Sequence, residues 1–421
     1  MSRKKILDLH FISLGLLSCF PLLGMWSSIV IILFGIISIV AAILMKEKWG
    51  TFSIKPLIPF ACLFCLILLR TLILSPNKAG LFYLEKSLSL LFLPLFFYVS
   101  PIRYALKDKL RFLTLFIFSA LIVSTYGELR VFFTLASQIG PGEHWANRGA
   151  LFSDPSYSFF VRTYFESFTS FHPSYACLYL GIAFVGILYS LIQNFNTMTN
   201  WLKWLSIFLL GIILIEQVIL AARTPFIGTM VASFFMFSIM IRNKWHVVYA
   251  LLGLGLLFGM MYLSIPSFAA RFKEVSVNNM SVPAAGHEDS FNIRSGILQC
   301  TANLLKEHWA WGVGPGNVQQ HLDNCYAGFP PEIYKDREYN THNQFFDYWA
   351  GLGIMGPLAL FCLLGFVAII NMRMQFTLPA ALVLLFTVSM LTENILIRQY
   401  GGVAFSFFMG IFSFNPSKKA L

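Results

Sequence analysis

Twelve long apolar stretches, joined by polar connections, constrain this chain more than any other feature of its sequence. They lie near residues 9–25, 26–45, 53–74, 81–99, 111–137, 173–192, 201–220, 224–242, 245–264, 343–370, 376–393 and 399–414. Only 12% of the residues are charged, whereas soluble domains carry about a quarter. In lipid, an isolated strand would leave its backbone N–H and C=O groups unpaired, so each stretch must form a helix. The sequence therefore predicts an all-α integral membrane protein with about 12 transmembrane helices.

Lys and Arg are distributed unevenly between the two sides of such a bundle. If the N-terminus lies in the cytoplasm, the short outer connections hold only Lys78, Arg223 and Arg398. The cytoplasmic ends then hold sixteen basic residues: Arg3, Lys4, Lys5, Lys46, Lys48, Lys55, Arg103, Lys107, Lys109, Arg111, Lys203, Arg242, Lys244, Arg373, Lys418 and Lys419. Because short cytoplasmic loops are enriched in Lys and Arg, this bias predicts the orientation, and an even span count places both termini in the cytoplasm. Topology and anionic lipid therefore explain the formal net charge of +11 better than nucleic acid does.

Two polar segments on the outer side organise the chain into three parts. Residues 1–264 would hold helices 1–9, with an outer segment near 138–172. Residues 265–342 would form a large periplasmic loop, and residues 343–421 would hold helices 10–12. Within the loop, apolar residues recur on one face from 292 to 307, which predicts a helix.

Cysteines and acidic residues give no metal-binding pattern. Cys62 and Cys65 have metal-ligand spacing but lie in an apolar stretch without a second pair, so we interpret them as packing residues. The close acidic pairs of the outer loop, at 288–289 and 336–338, are typical of solvated loop charge. The sequence thus predicts no metal and no cofactor. Cys300 and Cys325 both lie in the loop, where an oxidising compartment would allow a disulfide.

Three polar side chains stand out because ionisable groups near membrane depth are costly and usually functional. Arg223 lies in a tight outer turn between two apolar stretches. Arg294 lies near the start of the predicted loop helix, where a guanidinium and a helix N-terminus both favour phosphate oxygens. His342 lies where the loop returns to the membrane, and its ring can accept a proton near neutral pH. An interfacial or solvated side chain remains the alternative for each.

Further cations lie near the outer ends of the early helices. Arg70, Lys86 and Arg130 would enlarge an anion site, with Lys86 the first choice, although salt bridges within the bundle would also explain them. In the first outer segment, His172 is an alternative to His342 as a catalytic base.

Taken together, these residues give the chain a resemblance to the O-antigen ligase family, whose shared region also occurs in O-antigen polymerases and bacterial protein O-oligosaccharyltransferases. The matching features are Arg223, then Arg294 followed by the glycine-rich turn at 311–317, then the pair His342-Asn343. Arg294 follows Arg223 by 71 residues, and His342 follows Arg294 by 48. The glycines of the turn lack the Lys-Ser/Thr of a phosphate-binding loop, so we do not interpret them as one.

This resemblance implies a metal-independent, inverting glycosyltransferase of the GT-C type in the bacterial inner membrane, with its active site facing the periplasm. The donor would be a glycan on undecaprenyl pyrophosphate, and the acceptor would be lipid A–core. Arg223 and Arg294 would hold the donor pyrophosphate, and His342 would act at the acceptor hydroxyl. An O-antigen polymerase and a protein O-oligosaccharyltransferase remain open because they use the same donor. A membrane transporter is disfavoured because the sequence shows no internal duplication and its polar residues lie towards one face.

Overall fold

The computed structural model describes residues 3–45, 53–102, 104–137, 157–241, 243–264, 269, 290–329, 334 and 338–414. Much of the first outer segment and the start of the second lie outside the described residues. The described ranges contain eighteen α-helices and no strand. We number them α1 Arg3–Ser18, α2 Phe20–Leu23, α3 Ser27–Leu44, α4 Leu57–Leu74, α5 Lys78–Ser87, α6 Ser89–Val99, α7 Leu106–Ser137, α8 Tyr157–Thr169, α9 Pro173–Asn194, α10 Asn200–Ile219, α11 Arg223–Met240, α12 Lys244–Ser264, α13 Ser290–His308, α14 Val318–Tyr326, α15 Gln344–Leu352, α16 Met355–Arg373, α17 Thr377–Met390 and α18 Gln399–Ser413.

Within the described ranges, eight helical segments are long and apolar enough to cross a membrane. They are Phe20–Leu44, Leu57–Leu74, Lys78–Val99, Leu106–Leu135, Pro173–Asn194, Asn200–Ile219, Arg223–Met240 and Met355–Arg373. This architecture agrees with the predicted all-α membrane protein, whereas the count of twelve spans and the GT-C type stay predictions. The last two predicted spans are helices of only 14 and 15 residues.

The predicted tenth span is broken into two helices, α15 and α16. Gly353, at the break, has φ +72°, a conformation that favours glycine. A Cβ atom there would collide with the carbonyl oxygen of Ala310 in the large loop. The loop packs against the break, so a tertiary contact interrupts a helix that the apolar pattern alone would continue.

The core of the bundle is built around α9. Seventeen consecutive residues of this helix, from Pro173 to Tyr189, are buried. α9 packs against α7, α10, α11 and α17, while the outer surfaces of these and other helices expose many Leu, Ile and Phe side chains. Six of the seven tryptophans that the structure describes are more than half exposed: Trp26, Trp201, Trp204, Trp245, Trp309 and Trp311. Such an apolar exterior is typical of a protein surrounded by lipid, where exposed tryptophans favour the interfaces.

The large loop folds over one end of the bundle. Helices α13 and α14 form a small separate core, to which Ile297, Leu322 and Tyr326 belong, and a disulfide joins Cys300 to Cys325. The glycine-rich turn connects the loop to the end of α4. Gly316 N–H donates to Ser75 Oγ at 3.1 Å, and Asn317 Nδ2 donates to the Leu74 carbonyl at 2.9 Å.

The backbone amides of this turn are used within the protein. Val313 and Gly314 donate to the carbonyls of Ala350 and Gly351 at 2.8 and 3.1 Å, and Gly312 donates to His308 at 2.8 Å. These amides are therefore not presented together to a phosphate group. The turn instead holds the loop against the helical bundle through these hydrogen bonds.

We expect the disulfide to stabilise this loop. Replacing both Cys300 and Cys325 with alanine should lower the free energy of unfolding of the loop by about 3 kcal/mol, the loop-closure value for a separation of this length. Thermal unfolding in detergent measures the effect, with Cys62→Ala, an exposed free cysteine, as the control. Peptide mapping without reductant that recovers the two cysteines only as separate free thiols would contradict the bond.

Candidate active site

Glu393, in the turn between α17 and α18, brings two distant segments together. Its Oε1 lies 3.9 Å from a guanidinium nitrogen of Arg294 on α13, and its Oε2 lies 3.7 Å from Nδ1 of His342. Both separations exceed direct hydrogen-bonding distance, so the contacts are electrostatic. The Glu393 side chain is only 15% exposed, whereas that of Arg294 is 47% exposed. The arginine can therefore reach a ligand while the carboxylate stays beneath it.

The charge of Glu393 is set by its neighbours. Burial alone would raise the pKa of this carboxyl, but His342, His172 and Arg294 outweigh it and hold the pKa at about 2. Glu393 is therefore an anion at any pH at which the protein would work. It can balance the positive charge of Arg294 and of a protonated imidazole.

His342 is held in an unusual backbone conformation. Its φ of +45° lies in the left-handed region, which costs about 1–3 kcal/mol for a non-glycine residue. Its N–H donates to Asn340 Oδ1 at 2.9 Å. Of the three other left-handed non-glycine residues in the described ranges, Ser170 and Ala221 lie within two residues of His172 and Arg223, whereas Gln375 lies in the turn before α17. Because backbone strain concentrates at functional sites, this pattern favours the same three segments as the side-chain chemistry.

The side-chain amide of Asn343 makes its hydrogen bonds within the protein. Its Oδ1 accepts hydrogen bonds from Phe345 N–H and Phe346 N–H at 2.9 and 3.1 Å, which caps α15. Its Nδ2 donates to the Leu391 carbonyl at 3.0 Å, two residues before Glu393. Asn343 thus fixes the segment of His342 to the end of α17.

His172 lies at the N-cap of α9, within electrostatic reach of Glu393. Burial lowers its pKa; Glu393 opposes this shift, while Arg162 adds to it. Its Nδ1 accepts a hydrogen bond from Ser174 N–H at 3.3 Å. In the neutral ring Nε2 then carries the proton, and His172 has no free lone pair with which to act as a base. His342 is therefore the better candidate for that role.

The turn that leads to Arg223 is connected to this region through Arg162. Arg162 donates to the Ala221 carbonyl at 3.4 Å and also influences His172 electrostatically. Arg223 is the first residue of α11, so the same turn presents its side chain at the helix N-terminus.

The three further predicted cations, Lys86, Arg70 and Arg130, each lie against an aromatic ring. Lys86 on α5 lies 3.8 Å from the ring centroid of Phe82, and Arg398 is among its charged neighbours. The guanidinium of Arg70 stacks 5.0 Å from the Trp311 ring, on the glycine-rich turn. That of Arg130 lies 4.9 Å from the Phe168 ring on α8. The structure thus gathers Arg294, His342 and His172 around Glu393, while Arg70 and Arg130 contact aromatic rings.

Glu393 was missed by the sequence reasoning because it closes an apolar stretch as a single acid. The available signal was an ionisable residue at the end of a span, the same signal that selected Arg223 and His342. Within the described part of the chain, no three His, Cys, Asp or Glu side chains cluster as metal ligands would. The metal-free mechanism stays a prediction.

We expect Glu393 to contribute to stability in a pH-dependent way. Because its pKa is lower in the folded state than its ordinary value near 4.5, its charge stabilises the fold above that value, and this contribution is lost as the pH falls towards 2. Glu393→Gln should therefore lower the free energy of unfolding by about 1–2 kcal/mol near neutral pH, less than the whole pKa shift because two of its partners are imidazoles rather than permanent cations, and the gap to wild type should narrow in acid. Unfolding followed from pH 3 to 8 measures it, with Glu338→Gln, an exposed acid, as the control. A gap that does not change with pH would refute this origin.

A comparison with models of known protein families matches one part of the chain. Residues 205–362, from α10 to α16, match the family model described as O-antigen ligase, which confirms the resemblance seen in the sequence. This region contains Arg223, Arg294 and His342, whereas Glu393 lies beyond it. No curated protein matches the chain.

Proposed function

We propose that this chain, which carries the O-antigen ligase family region at residues 205–362, transfers a glycan from undecaprenyl pyrophosphate to lipid A–core in lipopolysaccharide biosynthesis. The observation that carries the proposal is the convergence of Arg294 and His342 on Glu393. This site combines a reachable cation for a diphosphate with an imidazole for an acceptor hydroxyl. The family region is shared by ligases, polymerases and protein O-oligosaccharyltransferases and does not separate them, whereas the modest chain length and the single large late loop favour ligation.

The leaving group determines what the site must provide. As the bond between the anomeric carbon and the diphosphate oxygen breaks, its electron pair moves to the diphosphate, where negative charge grows. Arg294, together with Arg223 on the neighbouring turn, would stabilise that charge with paired N–H donors, and Lys86, Arg70 and Arg130 would add to the positive field. No step requires a metal ion.

The acceptor is activated by His342. Its ring nitrogen takes the proton of the acceptor hydroxyl while the oxygen attacks the anomeric carbon from the face opposite the diphosphate, so the anomeric configuration inverts. Glu393 then stabilises the imidazolium that forms. In the absence of donor, the same carboxylate keeps the cation of Arg294 close to His342.

The proposal places this site on the periplasmic face of the bacterial inner membrane, with both termini in the cytoplasm. The distribution of Lys and Arg supports this orientation. A loop that contains a disulfide is also expected in an oxidising compartment.

The decisive experiment supplies purified protein with undecaprenyl-pyrophosphate-linked glycan and one of three acceptors. Lipid A–core should be glycosylated if the protein is a ligase. Extension of a second lipid-linked glycan would indicate a polymerase, and modification of a Ser-containing peptide would indicate protein glycosylation. Consumption of donor without transfer to lipid A–core would overturn the ligase assignment.

A further inference from the structure

A chain of buried and partly buried hydrogen bonds connects the two segments of the candidate site with helix α5. Asp347 on α15 accepts from both sides: Tyr83 O–H donates to Oδ2 at 2.6 Å, and Asn394 Nδ2 donates to Oδ1 at 3.1 Å. Asn394 also pairs with Thr341, with its Nδ2 3.0 Å from the threonine hydroxyl. Near the same place, Gln344 Oε1 accepts from Leu396 N–H at 2.7 Å.

These groups are almost completely removed from solvent. Asp347 is 4% exposed, Asn394 is 1% exposed and Gln344 is fully buried. Burying a carboxyl group and an amide costs free energy unless their hydrogen bonds are made, and apolar residues of similar size could fill the same space. Stability alone therefore does not explain why these buried residues are polar. We interpret their hydrogen bonds as fixing one relative position of the connected segments.

The residues held by this connection are the immediate neighbours of the catalytic candidates. Thr341 precedes His342, and Asn394 follows Glu393. The Thr341–Asn394 hydrogen bond thus joins the two segments next to the 3.7 Å contact between His342 and Glu393. The same Nδ2 of Asn394 also donates to Asp347, so the turn that carries Glu393 cannot rotate without breaking buried hydrogen bonds.

Through Tyr83 the connection reaches a third segment. Tyr83 lies three residues before Lys86 on α5, so the two side chains occupy adjacent turns of one helix. Helix α5, which carries the predicted donor-binding residue Lys86, is therefore connected to the turn of Glu393 by two hydrogen bonds. Both are accepted by the carboxyl group of Asp347.

We infer that Asp347 is a positioning residue, which sets the distance between His342 and Glu393 and fixes α5 relative to both. This inference rests on the proposed function for its kinetic consequence, but the mechanical coupling is a property of the fold. Tyr83→Phe is the mildest test because it removes one donor to Asp347 and leaves the ring in place.

A matched control exists elsewhere in the bundle. The buried hydroxyl of Tyr104 donates to or accepts from His10 Nδ1 at 3.0 Å, within a polar cluster formed with Ser38 and Ser100. Tyr104→Phe removes a comparable buried hydrogen bond outside the candidate site. A purely structural effect of losing such a bond would be similar in the two variants.

Hydrogen exchange followed by mass spectrometry tests the coupling without any activity. Tyr83→Phe should increase amide exchange in the peptides that contain 341–347 and 391–398, by about tenfold, although neither peptide contains the substituted residue. Tyr104→Phe should leave both peptides unchanged. Equal exchange in wild type and Tyr83→Phe would overturn the inference, even if the protein proved inactive as a ligase.

Kinetics then test the positioning role. Tyr83→Phe should lower kcat per folded molecule by about tenfold in wild type but by less than about twofold in a Glu393→Gln background, because the lost alignment acts through Glu393. Equal losses in both backgrounds, or an equal loss in Tyr104→Phe, would show that the effect is not positional. An inactive wild type would instead refute the proposed function.

Discussion

We expect His342→Ala to lower kcat for glycan transfer by about 10³-fold, which corresponds to about 4 kcal/mol of transition-state stabilisation. A sugar hydroxyl is a poor nucleophile until its proton is removed, and His342 is the candidate base because His172 has its Nδ1 occupied. Since the imidazole acts on the acceptor, the donor should still bind. The affinity for undecaprenyl pyrophosphate should therefore change by less than about twofold.

This separation of turnover from binding is measured with initial rates on labelled lipid-linked glycan and with donor binding in the same detergent. His321→Ala is the matched control, because it removes an exposed imidazole from α14 of the same loop. A His342→Ala variant with more than a tenth of wild-type kcat would exclude a role as the base. A variant that lost donor affinity in proportion would assign His342 to binding instead.

The positions of the helices could be predicted, because an apolar segment in lipid must be helical to pair its backbone groups. The points at which helices are interrupted could not. The break at Gly353 depends on the loop backbone at Ala310, which reaches the helix only in the folded protein. The short length of α17 has a similar cause: it ends before a turn whose Asn394 is needed in a buried hydrogen-bond network. A local pattern cannot contain information about a partner far away in the chain.

The chemical residues divide in the same way. Arg294 and His342 could be selected because their type and position at a membrane boundary already indicate chemistry. Glu393 carried the same signal, but its role could not be predicted, because the partners that define it, Arg294 and His342, precede it by 99 and 51 residues. For Arg70 and Arg130, the charge could be predicted but not the aromatic rings that they contact, since each ring belongs to a different segment.

Arg294→Ala should lower kcat/KM for the lipid-linked donor by about 10²–10³-fold, the range found when one preorganised donor to a developing anion is removed. Arg294 is suited to this role because its side chain is 47% exposed above a buried counter-ion, Glu393. Arg294→Lys should restore little of the loss. An ammonium keeps the charge but cannot present two parallel N–H donors to phosphate oxygens.

In contrast to His342→Ala, both Arg294 variants should weaken donor binding, because the diphosphate is charged before the reaction as well as during it. Salt should reduce the wild-type affinity more than that of either variant. Arg111→Ala is the control, since it removes a similarly exposed arginine whose partner is Asp108 on the same helix. Full activity of Arg294→Lys would mean that charge alone is sufficient, and the bidentate arrangement would then have to be abandoned. If Arg294→Ala lost turnover while keeping wild-type donor affinity, the arginine would act only after binding, and the diphosphate would have to be held by the cations around Arg223 and Lys86.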